Sequence, residues 1–525
     1  MADLPPFTDT PMDKIPELHE RVVRKFHTHT TRPLPYRLKQ LRQLYWALKD
    51  EEPALTEACK LDLGKSAYET YLTEVGWVLN DILFMCKNLE RFAKDEKAED
   101  MDLTNSFMRP TIRKDPLGAV LIIGAYNFPM QLTLGPLVGA LAAGCTAVIK
   151  PSENAPNAAR IMQHIIQQSL DPDAYQVVQG GIPETTALLE RKWDKIFYTG
   201  NGRVGTIIAK KAAETLTPVT LELGGKNPAI VTRNADPRLA ARRLLWAKLV
   251  NVGQVCVSQN YIIVDRAILP AFLKQLEAAF AEFQPRGAQG NDDYGKIVNE
   301  RQWQRLKDML DSTSGKVLFG GKTDSETLFF EPTVVQVDDK DDPLLADESF
   351  GPLIPILPVD GVDEAIHTAN AVDATPLGLY PFGSKAETDK ILGQTRSGGA
   401  SVNDGFFHAS IPTLSFGGVG GSGQGSYRGK ASFDTFSHRR SITTTPGWIE
   451  GMLSVRYPPY TKEKLKKFRN MSELKPDFDR QGRPTGGLIW WLIGLGGKSK
   501  TSAAARWIAL AVLAAGVRMY RTSKL

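Results

Sequence analysis

The sequence predicts an α/β protein built on a parallel, doubly wound sheet. Between residues 118 and 231, short apolar runs alternate with helix-like segments, and a second alternation runs from Cys256 to about Asn403. Alternation of this kind marks a parallel sheet covered by helices. At 525 residues the chain is too long for one ordinary core, so two or three domains are expected.

Residues 12–100 read as helical, because stretches such as 36–50 and 70–93 repeat apolar residues at three- and four-residue spacing. The rhythm changes at Gly118. Residues 119–124 are an apolar run ending in Gly124, and the small-residue segment 132–144 reads as a helix. The next run, 146–150, is closed by Pro151. Further runs lie at 175–178, 195–198, 219–223 and 229–231, separated by helical or turn-rich sequence. Sheets of this class bind dinucleotides at the carboxyl ends of their strands. A Gly-rich segment follows at 415–425, and there is no repeat of the solenoid kind.

Composition narrows the class. Hydrophobic residues are 42% and charged residues 23%, the balance of a globular chain that is neither disordered nor wholly membrane-embedded. A net charge of +5, with Lys and Arg not gathered into one block, suggests no nucleic-acid partner. Cys59, Cys86, Cys145 and Cys256 form no CxxC pair and have no His cluster beside them, so neither disulfides nor a metal site is expected. Unpaired thiols fit a reducing, intracellular compartment. The first twenty residues are acidic and proline-bearing with no apolar core, so no signal peptide is read there.

Three residues stand out for chemistry. Cys256, in Asn251-Val252-Gly253-Gln254-Val255-Cys256, is framed by small and polar residues as on a turn. A nucleophilic thiol there should be partly accessible and electrostatically favoured as thiolate. For a lone cysteine, a buried structural role is the commoner outcome. Glu222, in Leu221-Glu222-Leu223-Gly224-Gly225-Lys226, ends an apolar run and suits a general base raised by burial, or equally a salt-bridge partner beside a turn. Asn127, in Gly124-Ala125-Tyr126-Asn127-Phe128-Pro129, follows a strand. Its amide suits donation to an oxyanion, or a helix cap.

In combination these segments resemble the aldehyde dehydrogenase superfamily over roughly residues 15–445, closest to its class 3 or fatty aldehyde branch. Residues 197–205 resemble that family's cofactor turn, although Gly200 and Gly205 do not have the common GxGxxG spacing. Leu221-Glu222-Leu223-Gly224-Gly225-Lys226 resembles its glutamate motif, and Gly253-Gln254-Val255-Cys256 its nucleophile motif. Glu348-Ser349-Phe350-Gly351-Pro352 resembles its cofactor-ribose motif, with Ser349 where Ile is more usual. Residues 416–425 and Thr435-Phe436-Ser437-His438-Arg439-Arg440 look like the class 3 branch.

The resemblance implies that Cys256 attacks an aldehyde carbonyl and that Asn127 and the Cys256 backbone N–H hold the oxyanion. It implies that Glu222 then activates water against the thioester. Lys150, Ser152 and Glu153 are expected at the adenosine ribose, Gly200, Asn201 and Gly205 near the pyrophosphate, and Glu348 and Phe350 at the nicotinamide. NAD is the expected cofactor, since Glu153 would repel a 2′-phosphate; NADP use stays open. A CoA-acylating enzyme would keep the Cys without needing Glu222, and a non-catalytic protein on this fold would be expected to lose Cys256 or Glu222. The implied layout is a Rossmann-like cofactor domain, 1–222, a second α/β catalytic domain, 223–415, and a bridging segment, 416–445. That segment joins strands near 105–116 in a small region expected to form a homodimer.

The C-terminal extension, 446–525, changes composition. Its apolar runs are 486–497 and 503–517, the second broken by Arg506 and followed by Arg518, Arg521 and Lys524. A helix limited to residues 507–517 would reach only about 16 Å at ~1.5 Å per residue, against the ~30 Å a span needs. Membrane-surface contact or a marginal anchor is expected, with a helix packed on the protein or a dimer partner as the alternative. Ser523-Lys524-Leu525 has the form of a peroxisomal address. The apolar tail and the substrate class of the fatty aldehyde branch together suggest a long apolar aldehyde, a fatty aldehyde or an apocarotenal.

Overall fold

The computed structural model describes residues 5–99, 103–474, 476–484, 492–495 and 500–522. Ser523-Lys524-Leu525 and most of the apolar run 486–497 lie outside the described residues. The chain divides into two compact units, residues 1–96 with 112–441, and residues 97–111 with 442–525.

In the first unit, helices dominate up to residue 93, and two large sheets follow. One sheet has the order Gly423–Gln424, Val219–Glu222, Lys195–Thr199, Ala119–Ile123, Thr146–Lys150, Tyr175–Val177. All its pairs are parallel except Gly423–Gln424, which runs against Val219–Glu222. The chain steps outward from Ala119–Ile123 to Tyr175–Val177, then returns to Lys195–Thr199 on the other side of its first strand. Strand order therefore reverses between Ala119–Ile123 and Lys195–Thr199, which is where such sheets open a ligand crevice. Gly124 and Asn127 follow one strand of that pair, and Gly200 follows the other.

The second sheet has the order Lys316–Phe319, Thr333–Gln336, Leu353–Val359, Tyr261–Asp265, Pro228–Val231, Gly378–Phe382, Gly399–Ala400. Its central strands are buried on both faces, which is why they read as unbroken apolar runs rather than alternating ones. A third, three-stranded sheet joins Glu96–Lys97, Thr111–Pro116 and Ser437–Ile442. There Arg439 pairs with Glu96 at 2.7 Å, and Arg440 with Asp115 at 3.0 Å.

The second unit is mostly helical, with Lys462–Ser472 and Lys500–Thr522 its longest elements. Helix Lys500–Thr522 has 23 residues, about twice the eleven of segment 507–517, because helix-favouring Ala and Arg extend it at its start and Arg and Met at its end. Trp507, Ile508, Leu510, Val512, Leu513 and Val517 on it are all exposed. No helix among the described residues is long and apolar enough to cross a membrane.

Candidate active site

Cys256 sits beyond helix Pro237–Leu249 on a tight turn. Asn251, Val252 and Gly253 have φ of 49°, 55° and 72° in succession. Left-handed backbone is tolerable for Asn and unfavourable for β-branched Val, so the surroundings must hold this turn in place. A Cβ on Gly253 would lie 2.2 Å from the Gly351 carbonyl oxygen, so only glycine fits. The buried Gln254 side chain donates to the carbonyls of Asn251 (3.1 Å) and Lys296 (3.0 Å) and accepts from Val298 N–H (3.0 Å). On the other side, Asn227 Nδ2 donates to the carbonyls of Cys256 (2.7 Å) and Ser258 (2.9 Å).

Asn127 is buried against the same turn, and its Nδ2 donates to the Gln254 carbonyl at 3.0 Å. Glu222, at the end of strand Val219–Glu222, is 3% exposed, and neither carboxylate oxygen has a hydrogen-bond partner. Burial alone pushes its carboxyl well above the usual range. The structure thus brings Cys256, Asn127 and Glu222 to one place.

The electrostatics of the thiol differ from the sequence expectation. Cys256 is only partly buried by surface area, but its pKa is pushed up to about 12, first by desolvation and then by the charges of Glu348 and Glu222. A favoured thiolate would need a cation or helix N-terminus beside it, whereas the folded chain places two carboxylates there.

Cys256 also lines a narrow pocket that opens in part to solvent. Trp77, Phe128, Leu132, Phe406, Phe416 and Tyr427 make its walls almost wholly apolar. Arg428 shares this lining with its charge matched. It donates to Asp81 (3.0 Å) and to the Ala409 carbonyl (2.9 Å), and its guanidinium lies 4.5 Å from the Trp77 ring centroid.

The remaining predicted residues gather at the carboxyl ends of the six-stranded sheet. Lys150 ends strand Thr146–Lys150 and donates to Glu153 Oε2 at 3.0 Å. Ser152, between them, is buried. Asn201 caps helix Gly202–Ala213, its Oδ1 accepting from Val204 N–H at 3.0 Å. A Cβ on Gly205 would lie 2.8 Å from Leu223 Cδ2, and its absence lets that helix close onto the sheet. Glu348 reaches Gly224, where a Cβ would lie 2.1 Å from Glu348 Oε2. Phe350, at φ 49°, meets Tyr126 edge-to-face at 6.0 Å.

A profile of the aldehyde dehydrogenase family matches residues 8–442. The chain belongs to that family. It is 51% identical over 511 residues to a β-apo-4′-carotenal oxygenase of Neurospora crassa, covering 97% of this chain and 96% of that protein. It is 43% identical to a dimeric, NADP-preferring aldehyde dehydrogenase of Canis lupus familiaris, over 85% of this chain and 98% of that one. A substrate-bound Staphylococcus aureus aldehyde dehydrogenase superposes with a TM-score of 0.84 at 38% identity, covering 87% of this chain and 99% of that one. Members of family 3 are among its other relatives, in keeping with the class 3 resemblance.

This aldehyde dehydrogenase is therefore an oxidoreductase that uses NAD or NADP. Its residues fit such a group. The first turn of helix Gly202–Ala213 offers backbone N–H groups, and a Cβ on Gly202 would meet nothing within 4 Å, which leaves open space for a phosphate. Ser349 supplies a buried hydroxyl without a partner beside Glu348. Sequence reading missed Asn227, which carries the Cys256 turn although it stands next to the glutamate motif. It also missed Tyr427, whose signal was only an aromatic within a Gly-rich segment.

Proposed function

We propose that this enzyme oxidises long, apolar aldehydes, an apocarotenal or a fatty aldehyde, to the carboxylic acid through a thioester on Cys256. The apolar cavity that Cys256 lines carries the reading. Its aromatic walls suit a hydrocarbon chain, and a long aldehyde burying there would gain ~0.8 kcal/mol per CH₂.

Cys256, as thiolate, adds to the carbonyl carbon, and the negative charge moves to oxygen. Asn127 Nδ2 and the Cys256 backbone N–H donate to that oxygen. A bound nicotinamide, held by the residues assigned below, would supply the hydride acceptor needed as the carbonyl re-forms and Cys256 is left as the thioester. Glu222 takes a proton from water, the resulting hydroxide adds to the thioester, and the Cys256 thiolate departs. A buried carboxylate with no partner is well suited to that task, since its raised pKa makes it a stronger base. Lys150, Ser152 and Glu153 are assigned to the adenosine ribose, Gly200, Asn201 and Gly205 to the pyrophosphate, and Glu348 and Phe350 to the nicotinamide end.

Residues 1–222 are assigned to the cofactor domain and 223–415 to the catalytic domain. The bridging region, near residues 105–116 together with 416–445, is assigned to a homodimer contact. The apolar residues of helix Lys500–Thr522 are assigned to a membrane surface, which its exposure and basic C-terminal end support. Ser523-Lys524-Leu525 is assigned as a peroxisomal address. The test is kcat/KM across an aldehyde series of increasing chain length with NAD and with NADP. A steady rise with length supports the reading, and a preference for short polar aldehydes overturns it.

A further inference from the structure

The two oxyanion donors come from segments far apart in the chain, and something must fix their relative position. Around them lies a buried charged cluster: Lys65, Glu69 and Glu74. The Lys65 and Glu74 side chains are both 0% exposed and pair at 2.7 Å. Lys65 Nζ also donates to the Asn127 carbonyl at 2.8 Å and lies 4.2 Å from the Phe128 ring centroid. The second oxygen of Glu74 accepts from Met130 and Gln131 N–H, each at 3.1 Å. Those are the first N–H groups of helix Gln131–Ala143, which has no capping side chain of its own. Lys65 and Glu74 therefore hold the Asn127 loop from both ends.

Glu69 holds the other segment. Its Oε1 accepts from Asn251 N–H at 2.7 Å, at the first of the three left-handed residues before Cys256. Asn251 Nδ2 then joins the halves, donating to the Asn127 carbonyl at 2.8 Å and the Gln254 carbonyl at 3.0 Å.

A local irregularity makes this possible. In an α-helix, residues five apart lie ~140° apart around the axis. Between Glu69 and Glu74 the chain widens into a π-helical turn, Tyr71–Val75, closed by Gly76 N–H on the Tyr71 carbonyl. The wider turn swings Glu74 towards the face that carries Glu69. Gly76 is required there, because a Cβ would lie 2.7 Å from the Tyr71 oxygen.

We infer that Lys65, Glu69 and Glu74 are positioning residues, a buried clasp that locks Asn127 and the Cys256 turn together so that both oxyanion donors point at one spot. The inference rests on the assignment of Asn127 and Cys256 made above. Small misplacement of such donors is costly, since their effect depends on geometry set before reaction.

The test is the rate of the pre-steady-state NADH burst, with deacylation rate and NAD Kd measured alongside. Glu69→Ala should slow the burst tenfold or more, slow deacylation with it, and leave NAD Kd unchanged. Glu69→Gln should recover most of the rate, since its amide oxygen can still accept from Asn251. Lys65→Met alone leaves a buried charge unpaired, so the neutral pair Lys65→Met/Glu74→Gln is used; it should slow the burst in a protein that stays folded by circular dichroism. In an Asn127→Ala background, Glu69→Ala should cost less than it does in the wild type, because the Cys256 turn no longer has to be aligned with the Asn127 amide. A wild-type burst in Glu69→Ala, a parallel loss of NAD binding, or full additivity with a slow Asn127→Ala overturns the clasp alone. A wild-type burst in Asn127→Ala overturns the oxyanion reading, and the clasp with it.

Discussion

Asn127 Nδ2 donates to the Gln254 carbonyl at 3.0 Å, joining the loop after the first strand of the six-stranded sheet to the turn that ends in Cys256. The amide is thus held beside the nucleophile by a bond within the protein. Its second N–H is the one assigned to the substrate oxygen. Asn127→Ala should slow thioester formation by ~10²–10³, the usual cost of one oxyanion donor. Stopped-flow NADH bursts measure this, and an unchanged burst would return Asn127 to a structural role.

Glu222→Gln should permit one burst of NADH and then stall, because the thioester lacks its base. Mass spectrometry of the stalled enzyme should find an acyl adduct on the peptide carrying Cys256. Continued turnover with no adduct would move the base to another group.

The acidity of Cys256 can be read directly. With its pKa pushed up to about 12 in the free enzyme, iodoacetamide alkylation of this residue should still be accelerating above pH 9. Desolvation raises that pKa most, and Glu348 and Glu222 add to it by disfavouring the thiolate, so removing one negative charge should lower it. Glu222→Gln should therefore shift the alkylation curve to lower pH. A curve levelling off near pH 8, or a shift upward in the variant, would contradict the electrostatic account.

Much of this was legible in the sequence, for local reasons. The apolar runs at 119–123 and 146–150 announced strands because both their faces are buried. The segments around Cys256 and Glu222 announced themselves because tight turns and close approaches restrict which residues fit. What stayed hidden is non-local. Burial of the thiol, with the charges of Glu348 and Glu222 added from distant segments, reverses the expected sign of its pKa shift. Glu69 bonds Asn251 across 182 positions, and nothing around either residue hints at the other. The π-helical turn that aligns Glu69 with Glu74 is invisible to a search for helical periodicity, because it breaks that periodicity.

Deleting residues 486–525 should release the protein from membranes and lower kcat/KM for long aldehydes more than for short ones. Long aldehydes partition into lipid, so an enzyme held at the surface meets more of them. If the tail also buries part of the chain, losing two methylene contacts at ~0.8 kcal/mol each exceeds a tenfold loss. Fractionation and a chain-length series check both effects. Equal losses at every length would favour a tail that packs on the protein instead. Removing Ser523-Lys524-Leu525 alone should change cellular address and leave kinetics as they were.

Every step of the reaction runs through Cys256 as nucleophile. Purified Cys256→Ala should form no NADH from any aldehyde, in burst or steady state, while binding NAD with nearly the wild-type Kd by calorimetry, since the substitution removes no residue assigned to the cofactor. Substantial dehydrogenase activity in that variant, with the dinucleotide bound normally, would contradict the thioester mechanism.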